Sequence, residues 1–362
     1  MKKIISISST LAVVLTLGAA NILQASEGPE VGGRIHFDFY DNMPDQTRTT
    51  GGTEFRRARL QIKGDSHGVN YVLHSEFTSS KPDLRDAFLM KKMGDTTFIF
   101  GQFKPFRSMD ELTSSNNISV MERGFGSAAG IFNDRQWQQG LGFQQAFDTG
   151  SLSLALFSLR EDSTARNEGK GAALRGTQGI MLGEKSLIHF GAWYSYEDGG
   201  LDTPSYDLKI AYGGRRGPET TLITSGVGEN FKQKSAGVEF AGKFNRLHWQ
   251  AELTQSEIDP NQEDIQTMYL QLGFVIGGSA KYNVKRGIFE GVEFVEGGLW
   301  EVVARGDRIK KESDGHELER LVVGVNRYIS EDLRVMLNFT SGKNKKTADN
   351  PQQVALRTQL TF

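Results

Sequence analysis

The sequence of 362 residues has no cysteine, eight prolines and, beyond its first 25 residues, no long apolar run. Without cysteine there is neither a disulfide scaffold nor a thiolate zinc site. Scarce proline, with 38% hydrophobic and 10% aromatic residues, excludes a disordered chain. A mean hydropathy of -0.41 argues against a bundle of membrane helices, each needing ~20 consecutive apolar residues. Excess charge of one sign is missing too: 42 basic residues face 44 acidic ones, so no bulk field would draw nucleic acid.

The one apolar run, Ile4 to Ala20, sits behind Lys2 and Lys3 and precedes the small-residue cleavage pattern Leu23-Gln24-Ala25. Residues 1–25 therefore read as a signal peptide, and residues 26–362 as the mature domain. Losing the two lysines leaves 40 basic against 44 acidic side chains. Export points to the bacterial cell envelope.

After residue 30 the dominant signal is alternation with period two, in blocks of about ten residues divided by polar or Gly-rich breaks. In Leu247-His248-Trp249-Gln250-Ala251-Glu252-Leu253-Thr254 the odd positions are apolar and the even ones polar. Leu333, Val335, Leu337 and Phe339 share a face, as do Val354, Leu356, Leu360 and Phe362. Each strand would place one face in an apolar medium and the other in water. A soluble sandwich alternates as well, but an export signal, strand-sized blocks and aromatics near block ends (Phe37, Tyr40, Trp193, Trp249, Trp300) favour a membrane barrel.

The pattern predicts an all-β fold, a 16-stranded antiparallel transmembrane β-barrel. Its strands fall near residues 31–40, 54–64, 69–79, 83–92, 95–103, 135–147, 150–160, 173–183, 186–197, 235–243, 246–256, 265–276, 298–310, 317–328, 332–341 and 352–362. Both chain ends must lie on the periplasmic side, so the strand number is even. Two further blocks, 205–212 and 279–287, would make 18; parity of the short turns assigns them instead to a long outer loop, 198–234, and a long inner connection, 277–297.

Strand two carries Arg57, Arg59, Gln61 and Lys63 opposite Ala58, Leu60 and Ile62. Each cation facing lipid near the midplane would cost about 2–4 kcal/mol, so the basic face must line a wet bore. Guanidinium forks suit phosphate and carboxylate oxygens. The competing reading is that lumen arginines simply pair with Asp or Glu. The longest connection of the first half, residues 104–134, holds Ser114, Ser115, Glu111 and Arg123, and would narrow the bore if it folds inward. The six histidines show no His-Glu-x-x-His spacing, and nothing calls for a metal or other cofactor.

Phe100-Gly101-Gln102-Phe103-Lys104-Pro105-Phe106, Glu111-Leu112-Thr113-Ser114-Ser115 and Met121-Glu122-Arg123 resemble the third-loop region of the phosphate-selective porins of the O/P type. Gly32-Gly33-Arg34, Phe55-Arg56-Arg57-Ala58-Arg59-Leu60 and Asp86-Ala87-Phe88-Leu89 resemble other parts of that family, in order and spacing. The resemblance implies a homotrimeric outer-membrane channel, in contact with lipid and lipopolysaccharide, with an inward-folded third loop. Small, phosphate-like anions would pass a site lined by Arg34, Arg56, Arg57, Asp86, Ser114, Ser115 and Arg123; the strand-two face adds Arg59. Strictly phosphate-selective members carry a lysine where this chain has Glu111. Glu111 is thus expected to modulate selectivity. The alternatives are a general, weakly selective porin, a barrel enzyme of the outer membrane, or a barrel plugged by its loops.

Overall fold

The computed structural model describes residues 28–132, 135–159, 169–199, 207–224, 231–259 and 262–362; the signal-peptide segment 1–25 lies outside them. The first half of the barrel comprises β1 (Glu30–Met43), β2 (Gly52–Ser66), β3 (Val69–Glu76), β4 (Asp83–Met93), β5 (Thr96–Phe103), β6 (Gln138–Phe147), β7 (Gly150–Ser158), β8 (Lys170–Gly183) and β9 (Ser186–Asp198). A hairpin of β10 (Asp207–Ala211) and β11 (Glu219–Thr224) leaves the wall. The barrel resumes with β12 (Lys232–Phe244), β13 (Leu247–Asp259) and β14 (Glu263–Ile276). A second hairpin, β15 (Ala280–Asn283) with β16 (Ile288–Val292), precedes β17 (Leu299–Lys311), β18 (Glu317–Tyr328), β19 (Leu333–Asn344) and β20 (Gln352–Thr361).

Among the described residues sixteen strands pair antiparallel around a closed barrel, sealed by β1 against β20 from Arg34↔Thr361 to Met43↔Gln352. Closure leaves no edge, so the wall's backbone groups are satisfied without water. Within blocks 205–212 and 279–287, Asp207–Ala211 and Ala280–Asn283 do form strands, but in the two hairpins outside the ladder, and the even count holds.

The alternation is realised inside out. On β13 Glu252 is 6% exposed while its neighbour Leu253 is 44% exposed. The largest fully buried side chains include Arg107, Arg175, Arg305 and Arg357, whereas Phe37, Phe39, Leu141 and Leu270 stand on the outside. Such a surface suits hydrocarbon, and the polar face is turned to the bore. At the end where β1 begins and β20 finishes, β2 turns into β3 through His67 and Gly68, both at positive φ (55° and 72°), as a two-residue hairpin demands. Asp65 braces that turn by accepting from the Gly68 N–H at 2.9 Å.

The connection from Lys104 to Trp137 is clamped from two ends. Its Phe125, Ile131 and Phe132 share an apolar cluster with Leu208, Ile210, Leu222 and Ile223 of the outer hairpin. Its Met109 packs with Ala280, Ile288 and Phe289 of the inner one. One short helix, α1 (Met109–Leu112), breaks it; the Ser108 hydroxyl caps the helix by accepting from the Glu111 N–H at 3.2 Å.

Candidate channel lining

Two irregularities build the cationic wall. β1 and β2 run in register until His36↔Arg57, after which Phe37 pairs with Phe55, leaving Arg56 as the extra residue of a bulge. Strict alternation would send Arg56 to the lipid; the bulge brings it to the same side as Arg57. On β3 and β4, Leu73 pairs with Ala87 but Ser75 with Leu84, so His74 faces both Arg85 and Asp86. Consecutive charged side chains reach the bore at each place.

The connection rests against these walls. Arg34 Nη1 donates to Ser114 Oγ (3.2 Å) and Ser115 Oγ (3.1 Å). The serines thus meet β1 instead of the strand-two arginines. Arg56 grips Glu122 bidentately, at 2.8 Å for each bond. Arg357 on β20 bonds both oxygens of Asp38 at 2.7 Å and the Met121 carbonyl at 2.8 Å. From the far side Arg305 clamps Asp110 with two 3.0 Å bonds, and Glu252 accepts the Asp110 N–H at 2.7 Å.

Arg123 is committed to the connection itself, donating to the Asp110 carbonyl at 2.8 Å and to the Thr113 carbonyl. Glu111 is 1% exposed and turned into the same segment. Its carboxylate accepts from the Ala128 N–H (2.6 Å) and from Gln136, with Lys104 Nζ 3.8 Å away. Lys104 also donates to the Glu111 carbonyl at 2.7 Å.

Of the strand-two arginines, Arg59 answers to Glu76 at 2.6 Å, as a structural ion pair does. Arg57 differs: it is 5% exposed, and its Nε and Nη1 have no hydrogen-bond partner among the described residues. Asp86 accepts from His74 Nδ1 (2.9 Å) and Trp137 Nε1 (3.0 Å). Arg85, Lys104 and Arg59 lie over the Trp137 ring at 4.7, 5.2 and 5.4 Å from its centroid, so one indole meets three cations.

In the connection, burial pushes the Lys104 ammonium well below its ordinary range, and the Arg123 charge adds to the effect. Burial alone would raise the Asp110 and Glu122 carboxyls; Arg305 and Arg56 outweigh it and hold them below the usual carboxylate range. The arrangement therefore favours the charged form of these two carboxyls and disfavours that of Lys104.

Sequence reasoning passed over His74, Lys104, Glu122, Trp137 and Arg357. Glu122 and Lys104 stand in the quoted loop motifs, and Arg357 has the inward parity of its strand. No pattern signalled that His74 and Trp137 converge on Asp86.

A closed sixteen-strand barrel, oily outside and charged within, is the fold of an outer-membrane porin. The chain belongs to the phosphate-selective porin O and P family, whose model matches residues 30–362. An uncharacterized protein of Caulobacter vibrioides is 38% identical over 73 residues, 20% of this chain and 15% of that one. Solved structures carry the fold comparison. The loop L8 deletion mutant of OmpT, an outer membrane protein of Vibrio cholerae, aligns with a TM-score of 0.61 at 10% identity, covering 94% of this chain and 100% of its own. The anion-selective porin from Comamonas acidovorans aligns with a TM-score of 0.61 at 11% identity, covering 92% and 99%. The outer membrane channel DcaP of Acinetobacter baumannii aligns with a TM-score of 0.55 at 9% identity, covering 96% and 100%.

Proposed function

We propose that this outer-membrane porin is a passive, anion-preferring diffusion channel for phosphate and other small anions. The connection from Lys104 to Trp137 folds inward and narrows the path, and its bonds to β1, β17 and β20 support that reading. The observation that carries the anion preference is Arg57. A buried guanidinium without a carboxylate costs several kcal/mol unless something negative arrives. Neighbouring Arg34, Arg56 and Arg59 belong to the same cationic wall, with Asp86, Ser114, Ser115 and Arg123 flanking it. An array of separated weak sites lets an anion enter and leave; one tight site would hold it.

The exported mature chain, residues 26–362, assembles as a homotrimer in outer-membrane lipid and lipopolysaccharide. That stoichiometry draws support from the trimer form of the Vibrio cholerae OmpT, a protein of like fold. Measuring the reversal potential of the reconstituted channel across a KCl gradient tests the proposal. A potential of the sign set by chloride is expected, and one set by potassium would overturn it.

A further inference from the structure

Beside the cationic wall, where the start of β1 meets the end of β20, lies a cavity of about 320 Å3 lined in part by Arg34, Gln61, Lys63, His74 and Asn116. Lys63 is already engaged, 2.7 Å from Glu30. Arg34 spends Nη1 on two serines, but its Nε is buried without a hydrogen-bond partner among the described residues. His74, 4% exposed, is also half used. Its Nδ1 lies 2.9 Å from Asp86 Oδ2, while its Nε2 is buried and has no partner among the described residues.

The tautomer follows from the partner. A carboxylate accepts, so Nδ1 carries the ring hydrogen and Nε2 presents a bare lone pair. Two residues that line the cavity thus each hold an unmatched group, a donor on Arg34 and an acceptor on His74. Chloride and sulfate can take the donor but have no hydrogen for the acceptor. A hydrogen phosphate satisfies both, with an anionic oxygen toward Arg34 and its own hydroxyl toward His74.

We infer that His74 makes the inner mouth a subsite for hydroxyl-bearing oxyanions, distinguishing hydrogen phosphate from sulfate by the hydrogen that sulfate lacks. The inference rests on the anion-channel reading and adds to it a determinant at this subsite. An unmatched buried polar group discriminates more sharply than shape, because the wrong ligand leaves it unpaired.

Block of chloride current by added phosphate or sulfate tests this, in alkaline buffer where both carry two negative charges. In the wild type the half-blocking concentration of phosphate should lie about tenfold below that of sulfate, the worth of one hydrogen bond. His74→Asn keeps a donor for Asp86 but removes the acceptor at the Nε2 position; phosphate should weaken to the sulfate value, with sulfate unchanged. His74→Gln returns an acceptor near that position and should restore most of the difference. Equal block by the two anions in the wild type, as a doubly protonated His74 would give, overturns the inference, as does discrimination surviving in His74→Asn. Failure of the anion-channel reading looks different: the KCl reversal potential then shows no anion preference in any variant.

Discussion

Two walls of this barrel treat buried arginine in opposite ways. On the β8–β12 and β17–β18 side the buried guanidiniums of Arg175, Arg305 and Arg320 each meet a carboxylate. Arg175 binds Glu239 through two bonds of 2.9 and 2.7 Å and also donates to the carbonyls of Arg286 and Gly287. Arg305 and Arg320 share Asp307, and Arg305 also holds Asp110. On the β1–β2 side Arg57 keeps two donors unmatched, and Arg34 has serine hydroxyls where a carboxylate would stand. The first wall is structural: charge there is cancelled to let the bore be filled. The second wall pairs Arg56 with Glu122 and Arg59 with Glu76 but leaves Arg57 and Arg34 without a bonded carboxylate, and on the proposed reading an anion would gain most by entering there.

Removing a counterion from the structural wall should have the largest effect. Glu239→Leu leaves Arg175 buried with no carboxylate and is expected to cost about 3–5 kcal/mol, read as a lowered midpoint of urea unfolding in detergent. The double variant Arg175→Met, Glu239→Leu should regain most of that loss, since a well-packed apolar pair is near neutral. A double variant as unstable as the single one would mean that the wall needs its ion pair for reasons other than charge balance.

The same operation on the other wall should change function instead. Arg57→Ala removes a cation whose Nε and Nη1 have no hydrogen-bond partner among the described residues, so stability should hold or rise. The anion-to-cation permeability ratio should fall about fivefold, from ~1 kcal/mol for unit charges 4 Å apart in water. A large loss of stability with an unchanged reversal potential would erase the distinction between the walls.

The barrel was legible because a lipid-facing strand must be apolar at every second residue, and β13 obeys this from Leu247 to Leu253 and β19 from Leu333 to Phe339. The hairpin blocks were legible through parity. The bulges were not: one extra residue at Arg56 or at Arg85-Asp86 leaves composition and local pattern unchanged while it redirects a side chain. Nor could residue types tell Arg57 from Arg59, since the difference is the presence of Glu76, which lies on another strand. The convergence of His74 and Trp137 on Asp86 needs contacts that no spacing encodes.

A gentler probe is acid, acting where the connection bridges the walls. Asp110 is held below its ordinary value of 3.8, because the Arg305 charge outweighs burial. Its contribution is therefore complete above that ordinary value and is lost as pH falls through the lower folded-state value. Single-channel current should stay steady from neutral pH down to about 4 and grow noisy below, as the segment loosens from Arg305. In Asp110→Asn the noise should be present at neutral pH and should change little on acidification. Noise that sets in near neutral pH in the wild type would place the titrating group elsewhere.

The smallest effect on selectivity should come from Glu111, the position at which this chain departs from the strictly phosphate-selective pattern. A carboxylate in the open path would oppose Arg57 directly. Here its two oxygens are taken by the Ala128 N–H and Gln136, and Lys104 stands 3.8 Å away, so its field is spent inside the connection. Glu111→Gln should leave the reversal potential within error of the wild type. It should cost about 1–3 kcal/mol in unfolding, because an amide N–H₂ would face one of those donors. A shift in reversal potential comparable to that of Arg57→Ala would place the carboxylate's field in the path and make Glu111 a counterweight to the unpaired arginine.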